Sequence, residues 1–407
     1  MKWVVRIGLG LLALIVLVVA GFAAVPWFTV GAERLSAKPY RAHLAANETV
    51  LDLAAPDANL ALAPEHYDAR YVLLGEMHGF AVPQRLDAAM VRHLAEAGPA
   101  RWYLAEMSPH EAMAANAYVS GGEAAGIEAV FDRFADMGLQ WNSIDFFEKL
   151  TAIRNLNEAL PPERRVRFIG IDAPREPALA GPDMGVASAP DLGRHADDAA
   201  LAINLALADT GEAGQGRYQT IADRMTALAA MPGWAAARFY GFWGLGHTSE
   251  VPINGAVPLA IWLQREDAPW AGEVVTINTM CLGACYNMMV AAGLPGPMQP
   301  PNGEGYVYVP MGQHQPYFMR AKGAGDLLAA LGEDDIALYR LGTPDSPYRD
   351  GDRITGVTGY LAKVNRWEVE GSAADMTDYL IVFRGSPPLR PRRGEAHDLT
   401  GDAAASL

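Results

Sequence analysis

The chain has 407 residues, of which 51% are hydrophobic and 19% are charged, and its formal net charge is −15 at pH 7. This composition is typical of a folded protein with a large core and excludes a predominantly disordered chain. The negative charge argues against a nucleic-acid-binding protein, because a phosphate backbone is bound through a basic surface. No polybasic segment interrupts the acidic balance, so no nucleic-acid partner is expected.

The N-terminus carries an uncharged apolar run from Ile7 to Val25, preceded by Lys2 and Arg6. A membrane-spanning helix needs roughly 20 apolar residues, and the core of a signal peptide is usually shorter. Positive residues before the run would hold the N-terminus in the cytoplasm and place the rest of the chain outside. We expect residues 1–30 to be a signal anchor or signal peptide, with the body membrane-anchored and periplasmic or extracellular.

Residues 31–65 are polar and rich in alanine and are interpreted as a connector. A regular pattern follows, with a buried strand in "RYVLLGE", a helix in "PQRLDAAMVRHLAEAG" and a second strand in "RWYLAEM". Such a strand-helix-strand unit has parallel strands and a right-handed connection. After further helical segments, "RVRFIGID" predicts a third buried strand.

Residues 175–235 begin with a segment rich in proline and glycine and continue with alanine-rich helices, so they are interpreted as a helical lid. The second half of the chain mixes strands and helices less regularly, and the polar residues 391–407 are expected to form a flexible tail. The sequence predicts one α/β domain over residues 66–390. We expect a mixed, largely parallel central sheet flanked by helices, with the helical insertion, after an N-terminal membrane helix.

The two cysteines, Cys281 and Cys285, lie close together in the sequence. In an oxidising compartment such a pair can form a disulfide if the segment is irregular. Free buried thiols stay open as an alternative. A metal site is less favoured, because zinc sites need three or four ligands.

Ionisable residues follow the ends of several predicted strands, where side chains leave the core of an open α/β sheet while their backbone stays fixed. We therefore expect them to form one site. In chain order they are Glu76, His78, Arg85, Glu106, Asp172, His247 and Glu250.

The chemistry of this set follows from its residue types. His78 would accept a proton near neutral pH, and the carboxylate of Glu76 would support it, so that water becomes the nucleophile. Arg85 or His247 could stabilise an oxyanion. The rival hypothesis is a divalent metal bound by Glu76, His78, Glu106 and His247. Neither an HExxH motif nor a GxSxG motif occurs.

Several segments resemble the erythromycin esterase-like family in order and approximate spacing, over most of residues 66–390. Only Met77 separates Glu76 from His78, a shorter spacing that is similar to the related haem-binding ChaN-like lipoproteins. Gly244 stands where the family has the first of two histidines. The matching segments are "LLGEMHG", "WYLAEM", "WNSIDFFEKLTAIRNLNE", "VRFIGIDAP", "FWGLGH" and "TDYLIVFRGSPPLRP".

The resemblance implies a mixed α/β sheet and hydrolysis of an ester or similar acyl bond by water, with His78 as general base. It implies that Glu76 and Glu106 are supporting carboxylates and that Arg85 and His247 lie on the oxyanion or substrate side. The residues expected to bind substrate are Asp172, Glu250, Arg154 and Trp243.

Three alternatives stay open on the sequence. The first is a haem- or metal-binding protein of the ChaN-like type, the second a metal-dependent peptidase, and the third a scaffold with a degenerate site. The esterase hypothesis needs no cofactor, whereas the first two need haem or a divalent metal. The expected partners are a small-molecule substrate, for which the aromatic stretch "RFYGFWGLGH" suggests an apolar or ring-containing compound, and a membrane through the N-terminal helix.

Overall fold

The computed structural model describes most of the chain and confirms a mixed α/β fold around a central sheet. The described residues are 3, 10–21, 24, 33, 35–173, 190–210, 216–315, 319–332, 335–358, 367–399 and 401.

The N-terminal apolar run is only partly described. Residues 10–21 are helical and exposed, but no helix within the described residues is both long enough and apolar enough to cross a bilayer. The structure therefore does not support the membrane helix expected over residues 1–30. Residues 7–9, 22–23 and 25 of the run lie outside the described residues.

The strands form two sheets. In chain order they are β1 (Glu48–Val50), β2 (Tyr71–Glu76), β3 (Trp102–Ala105), β4 (Arg167–Gly170), β5 (Phe239–Gly244), β6 (Val274–Val290), β7 (Tyr306–Pro310), β8 (His314–Gln315), β9 (Met319–Ala321), β10 (Ile336–Arg340), β11 (Gly356–Thr358), β12 (Trp367–Glu368), β13 (Tyr379–Ser386) and β14 (Ala396–Asp398).

The larger sheet runs in the order β1-β10-β13-β6-β2-β5-β3-β4, with β7 and β14 continuing from the far end of β6. The strands from β13 to β4 are parallel, while β1 and β10 pair antiparallel at one edge. The smaller, antiparallel sheet has the order β12-β11-β9-β8. Because β2, β3, β4, β5 and β6 are parallel, their carboxyl ends meet at one edge.

Helices cover both faces of the larger sheet. In chain order they are α1 (Ala37–Ala46), α2 (Ala81–Ala97), α3 (Pro109–Val119), α4 (Ala125–Asp136), α5 (Ile144–Ala159), α6 (Asp197–Ala208), α7 (Arg217–Ala229), α8 (Leu245–Thr248), α9 (Leu259–Leu263), α10 (Ala324–Leu331) and α11 (Ala373–Met376).

Strand β2 shows why the sheet is covered on both sides. All six of its residues are buried, and successive side chains of a strand point to opposite faces. Val72 and Leu74 pack into the core that contains α2 and α5, whereas Tyr71 and Leu73 pack into the core on the other face. A strand that is buried on both faces needs apolar side chains on both. This explains the continuous apolar run "YVLL" before Gly75.

The segment interpreted as a lid is mainly a layer of the core. Residues of α6 and α7, such as Leu207 and Ile221, are buried against Leu104 and Ile169 of the sheet. The two helices therefore cover a face of the sheet, and α7 begins at its carboxyl edge. Within the range 175–235, residues 175–189 and 211–215 lie outside the described residues.

Two boundaries differ from the expectation. The predicted connector contains α1, whose Leu44 is fully buried, and the edge strand β1, which pairs with β10. In the predicted flexible tail, β14 pairs in parallel with β7. Both segments are therefore parts of the domain. The first adds a buried leucine and an edge strand, and the second adds a strand that ends at residue 398.

The cysteine pair forms a disulfide between Cys281 and Cys285, which confirms the favoured expectation. It lies within β6, where Gly283 has a φ of +87°. A residue with a side chain rarely adopts this conformation. At this irregular point β6 stops pairing with β13 and begins to pair with β7.

Candidate functional site

Five of the predicted residues meet at the carboxyl edge of the sheet. Glu76 ends β2, Glu106 follows β3, and Asp172 follows β4 by two residues. His78 lies in the turn after β2, and His247 lies in the short helix α8 directly after β5. The parallel pairing of these strands brings the five side chains together, as the order of elements predicts.

His78 and Glu76 form a hydrogen-bonded pair. Nδ1 of His78 lies 2.9 Å from Oε1 of Glu76, and Gln84 donates a hydrogen bond to Oε2 of the same carboxylate at 3.1 Å. A carboxylate only accepts hydrogen bonds, so Nδ1 carries the hydrogen and Nε2 of a neutral ring carries the lone pair. The edge of the imidazole packs against Trp141, with ring centroids 5.1 Å apart.

The turn that holds His78 depends on a glycine. Gly79 has a φ of +91°, and a Cβ at this position would lie 2.4 Å from Oδ1 of Asn287. The Asn287 amide donates to the carbonyl of His78, and the Met288 N–H donates to the carbonyl of Gly79 at 2.9 Å. Asn287 and Met288, near the end of β6, therefore hold the backbone of His78 and Gly79 in place.

Arg217, the first residue of α7, joins two carboxylates of the site. Its Nε and Nη2 donate to Asp172 at 2.7 and 2.8 Å, and Nη2 also donates to Oε1 of Glu106 at 2.7 Å. Oε2 of Glu106 accepts the Gly244 N–H at 2.8 Å. Burial by itself would raise the pKa of Glu106, but the electrostatic effects of the His78 and His247 rings and of the Arg217 guanidinium outweigh burial and lower the pKa. The Glu106 carboxylate is thus held ionised.

His247 is hydrogen-bonded on both sides of its ring. Nε2 lies 3.2 Å from Nη1 of Arg217, and Nδ1 lies 3.1 Å from the hydroxyl of Tyr218. A guanidinium can only donate, so Nε2 accepts and Nδ1 carries the hydrogen that Tyr218 accepts. Burial lowers the pKa of His247, and the positive charge of Arg217 adds to this against the opposing charge of Glu106. His247 is therefore a neutral, fixed ring.

Gly244 brings the two imidazoles into one pocket. A Cβ on Gly244 would lie 2.7 Å from Nε2 of His78 and 3.6 Å from Cδ2 of His247. Any side chain at this position would displace the His78 ring. Gly244 thus provides the space in which the His78 ring lies.

Four other predicted residues do not join this cluster. Arg85 is exposed and donates a 3.4 Å hydrogen bond to the Leu53 carbonyl. Successive helix positions are about 100° apart, so Gln84 of α2 faces the site and Arg85 does not. Trp243 is fully buried and packs behind His247, with ring centroids 5.6 Å apart.

Arg154 and Glu250 also lie elsewhere. Arg154 donates to the carbonyls of Gly122 and Gly121 at 2.8 and 3.1 Å. Glu250 accepts hydrogen bonds from Thr276 and Gln264, each at 2.7 Å. Neither residue contacts the five residues of the cluster through these bonds, and their expected role in binding substrate has no support in this geometry.

No sequence pattern indicates two residues that complete the site. Arg217 and Tyr218 begin a helix that follows no strand end, and both lie within residues 175–235, the range interpreted as a lid. Their position depends on how α7 packs on the sheet, which is a long-range property. Gln84 was detectable in principle, because it lies one residue from the predicted Arg85 on the same helix.

The proposed metal ligands do not fit a metal ion. Within the described residues there is no group of three or more His, Cys, Asp or Glu side chains with the geometry of a metal site. The guanidinium of Arg217 occupies the position between Glu106 and His247 that a cation would take. The positive charge that these ligands would require is thus supplied by the chain itself.

Comparisons with known proteins give structural matches alone. No protein-family model matches the chain, and a search of curated proteins gives no match. A succinoglycan biosynthesis protein has a TM-score of 0.57 at 12% identity, covering 87% of this chain and 98% of its own. A Bacillus cereus protein has a TM-score of 0.51 at 13% identity, covering 88% and 99%.

A third match bears directly on the resemblance seen in the sequence. An erythromycin esterase variant in its open conformation has a TM-score of 0.52 at 16% identity, covering 83% of this chain and 97% of its own. At such identity the likeness concerns the fold alone. Because the likeness extends over 97% of that enzyme's chain, the two chains share a fold.

Proposed function

We propose that this protein hydrolyses an ester or similar acyl bond of a small molecule by means of water activated by His78. The observation that supports this most directly is the 2.9 Å bond from Nδ1 of His78 to Glu76. The bond fixes the tautomer, so that Nε2 is the proton acceptor, and it stabilises the imidazolium that forms when a proton is taken up. The likeness to an erythromycin esterase agrees with this proposal at the level of the fold.

The reaction requires two proton transfers. His78 removes a proton from water while the water oxygen attacks the carbonyl carbon of the substrate. The π electrons of the C=O bond move to the carbonyl oxygen, which becomes the oxyanion. When the tetrahedral intermediate collapses, the bond to the leaving group breaks and the imidazolium returns the proton to the leaving oxygen. The Glu76 carboxylate accepts the Nδ1 hydrogen of His78 and offsets the positive charge of the ring.

Arg217 and Tyr218 provide donors for the oxyanion. In the contacts described, Nη1 of Arg217 uses one N–H for His247, and a guanidinium nitrogen of this kind has two. The hydroxyl of Tyr218 accepts from His247, so its own hydrogen can be donated. Burial raises the pKa of Tyr218, which keeps the hydroxyl protonated. Such preorganised donors are often the largest contribution to acyl-transfer catalysis.

Water has room beside the carboxylates. A cavity of about 20 Å³ is lined by Glu76, Glu106 and a set of mostly aromatic side chains. A buried water molecule needs roughly 10–15 Å³ of cavity volume, so this cavity has room for about one. The aromatic lining members are Tyr103, Phe134, Trp141, Phe146, Phe168 and Phe242.

The location of the enzyme is part of the proposal. We infer that the N-terminal apolar segment tethers the domain to a membrane, with the domain in the periplasm or outside the cell. The disulfide between Cys281 and Cys285 supports an oxidising compartment. Fractionation of cells should place the full-length chain in the membrane pellet and release the domain when residues 1–30 are deleted. A full-length chain in the soluble fraction would contradict the tether.

The catalytic proposal is tested by ester turnover. Purified protein is assayed with p-nitrophenyl esters of short acyl chains and with simple lactones, and His78→Ala should lower kcat/KM by about 10²–10⁴-fold. His397→Ala is the matched control, because His397 lies in β14, and it should leave the rate unchanged. Turnover by the His78→Ala protein at the rate of the wild type would refute the proposal. A chelator should have no effect, whereas inactivation would favour a metal-dependent peptidase.

A further inference from the structure

A second cavity lies behind the wall of the candidate active site. Its volume is about 400 Å³, and it is bounded by the start of α2, by α5, by residues 53–56 and by residues 387–390. Small-molecule sites usually measure roughly 300–1,000 Å³. Gln84 and Lys149 line both this cavity and the small one beside Glu76, so they form the partition between the two.

Much of the wall is apolar and made of small residues, which gives a smooth surface for an aliphatic group. These side chains are Leu53, Ala54, Ala55, Pro56, Ala81, Ala88, Ala89, Ala152, Pro387 and Pro388.

The charged residues of the cavity leave one cation without an ionic partner. Nζ of Lys149 lies 2.8 Å from Oδ2 of Asp87, and Nη2 of Arg390 lies 2.9 Å from Oδ1 of Asp145. Arg85 has a single 3.4 Å hydrogen bond to a carbonyl, and within the described part of the chain no carboxylate pairs with it. A cationic anchor of this kind favours an anionic ligand, and a guanidinium matches the geometry of a carboxylate.

Gln84 carries a buried acceptor. The residue is 3% exposed, and its amide nitrogen donates to Glu76. Its carbonyl oxygen Oε1 is buried and has no hydrogen-bond partner among the described residues. Because this oxygen has almost no accessible surface, Gln84 belongs to the partition between the two cavities and is not a contact for a ligand.

We propose that this cavity binds a small amphiphilic carboxylate, a compound with one carboxylate and an aliphatic group. The carboxylate pairs with Arg85, and the aliphatic group lies on the wall of alanine, proline and leucine. The cavity is separate from the pocket of His78 and His247, so the proposal does not depend on the hydrolase activity.

Isothermal titration calorimetry with N-acetyl-leucine tests the proposal. The carboxylate should bind, and the neutral N-acetyl-leucine amide, which lacks the anionic group, should bind about tenfold more weakly or not at all. Arg85→Gln should weaken binding of N-acetyl-leucine by about tenfold, as expected for loss of a charge-assisted pair. Arg92→Gln is the matched control, because Arg92 lies on the same helix and pairs with Glu96 at 3.0 Å, and it should bind as the wild type does.

His78→Ala distinguishes this cavity from the active site. Binding to that variant should be unchanged if the ligand occupies the second cavity. Three results would overturn the proposal: equal affinity of the Arg85→Gln protein, equal affinity for the neutral amide, or loss of binding in the His78→Ala protein. Absence of measurable heat at millimolar N-acetyl-leucine would overturn it as well.

Discussion

Arg217 donates a hydrogen bond from Nη1 to Nε2 of His247, 3.2 Å away. The contact requires a neutral imidazole, because a protonated ring would have no lone pair to accept it and would repel the guanidinium. Burial of the ring and the charge of Arg217 both lower the pKa of His247, against the opposing effect of Glu106. The hydrogen bond between Arg217 and His247 therefore forms only while the His247 ring is neutral.

Acid should weaken the fold through His247. Its pKa is lowered in the folded state, whereas in the unfolded chain it is ~6.5. The unfolded state thus binds a proton more readily, and stability is lost as the pH falls from about 7 through the folded pKa. Replacement by glutamine, His247→Gln, removes this titration. Urea unfolding at pH 7 and pH 5 should show a smaller loss of unfolding free energy for the variant than for the wild type.

Other buried histidines titrate in the same range, so the comparison with the wild type is essential. The pKa of His195 is lowered to about 4 by burial, and this contribution is present in both proteins and cancels in the difference. Identical losses in the two proteins between pH 7 and pH 5 would show that His247 is not held neutral by Arg217.

Removal of Arg217 should destabilise the domain. Its partners Asp172 and Glu106 are buried, with side chains 2% and 8% exposed, and Arg217→Gln would remove the guanidinium that binds both carboxylates. Loss of one partner of a buried ion pair costs about 3–5 kcal/mol, and partial exposure of Arg217 reduces the expected loss to roughly 2–4 kcal/mol. Arg265→Gln is the control, since its pair with Asp267 is exposed to solvent and its loss should change stability little. Equal urea midpoints for the two variants would contradict the assigned role.

Gly244→Ala should lower ester turnover by displacing the His78 ring. The added Cβ would lie 2.7 Å from Nε2 of His78, so the imidazole must move, and misplacement by about 1 Å can cost roughly 10²-fold in rate. Gly246→Ala is the matched control, because a Cβ there meets nothing within 4 Å. We expect ester turnover to fall in the first variant and to persist in the second. Wild-type kcat in the Gly244→Ala protein would show that the position of His78 does not limit the reaction.

Local sequence patterns predicted the part of the site that strands deliver. Glu76 ends a buried strand, and His78, Glu106 and Asp172 follow buried strands that are connected through helices, an arrangement that predicts parallel strands. The positions of the first three elements could therefore be inferred from apolar runs and turn residues. The order of the strands in space, with β5 and β6 on either side of β2, could not be inferred, because the pairing of distant strands has no local signal.

The errors have a similar origin. Arg85 was assigned to the site because it follows β2 closely, but the helical rotation directs Gln84 to Glu76 instead. Arg217 was overlooked because α7 reaches the carboxyl edge only through its packing on Leu104 and Ile169. Short strands such as β1 and β14 have too few residues to show a periodic pattern, so the sequence predicts a connector and a flexible tail where these strands lie.

Glu250 provides an opposite pH dependence, away from the active site. Burial raises its pKa to about 8, and the charge of Asp378 contributes, against the hydrogen bonds from Thr276 and Gln264. Because the unfolded value is ~4.3, the folded state holds the proton more tightly. The resulting stability is fully present below the unfolded pKa and is lost as the pH rises through about 8.

Glu250→Gln tests this dependence, because glutamine has nearly the shape of glutamate, keeps one acceptor oxygen and cannot ionise. The unfolding free energy of the wild type should fall relative to that of the variant between pH 5 and pH 9, measured by urea denaturation at each pH. Glu96→Gln changes an exposed carboxylate that pairs with Arg92 and should show no such trend. If the difference between the wild type and Glu250→Gln stayed constant over this range, the carboxyl group would not hold a proton in the folded state, and repulsion from Asp378 would have to be balanced by another cation.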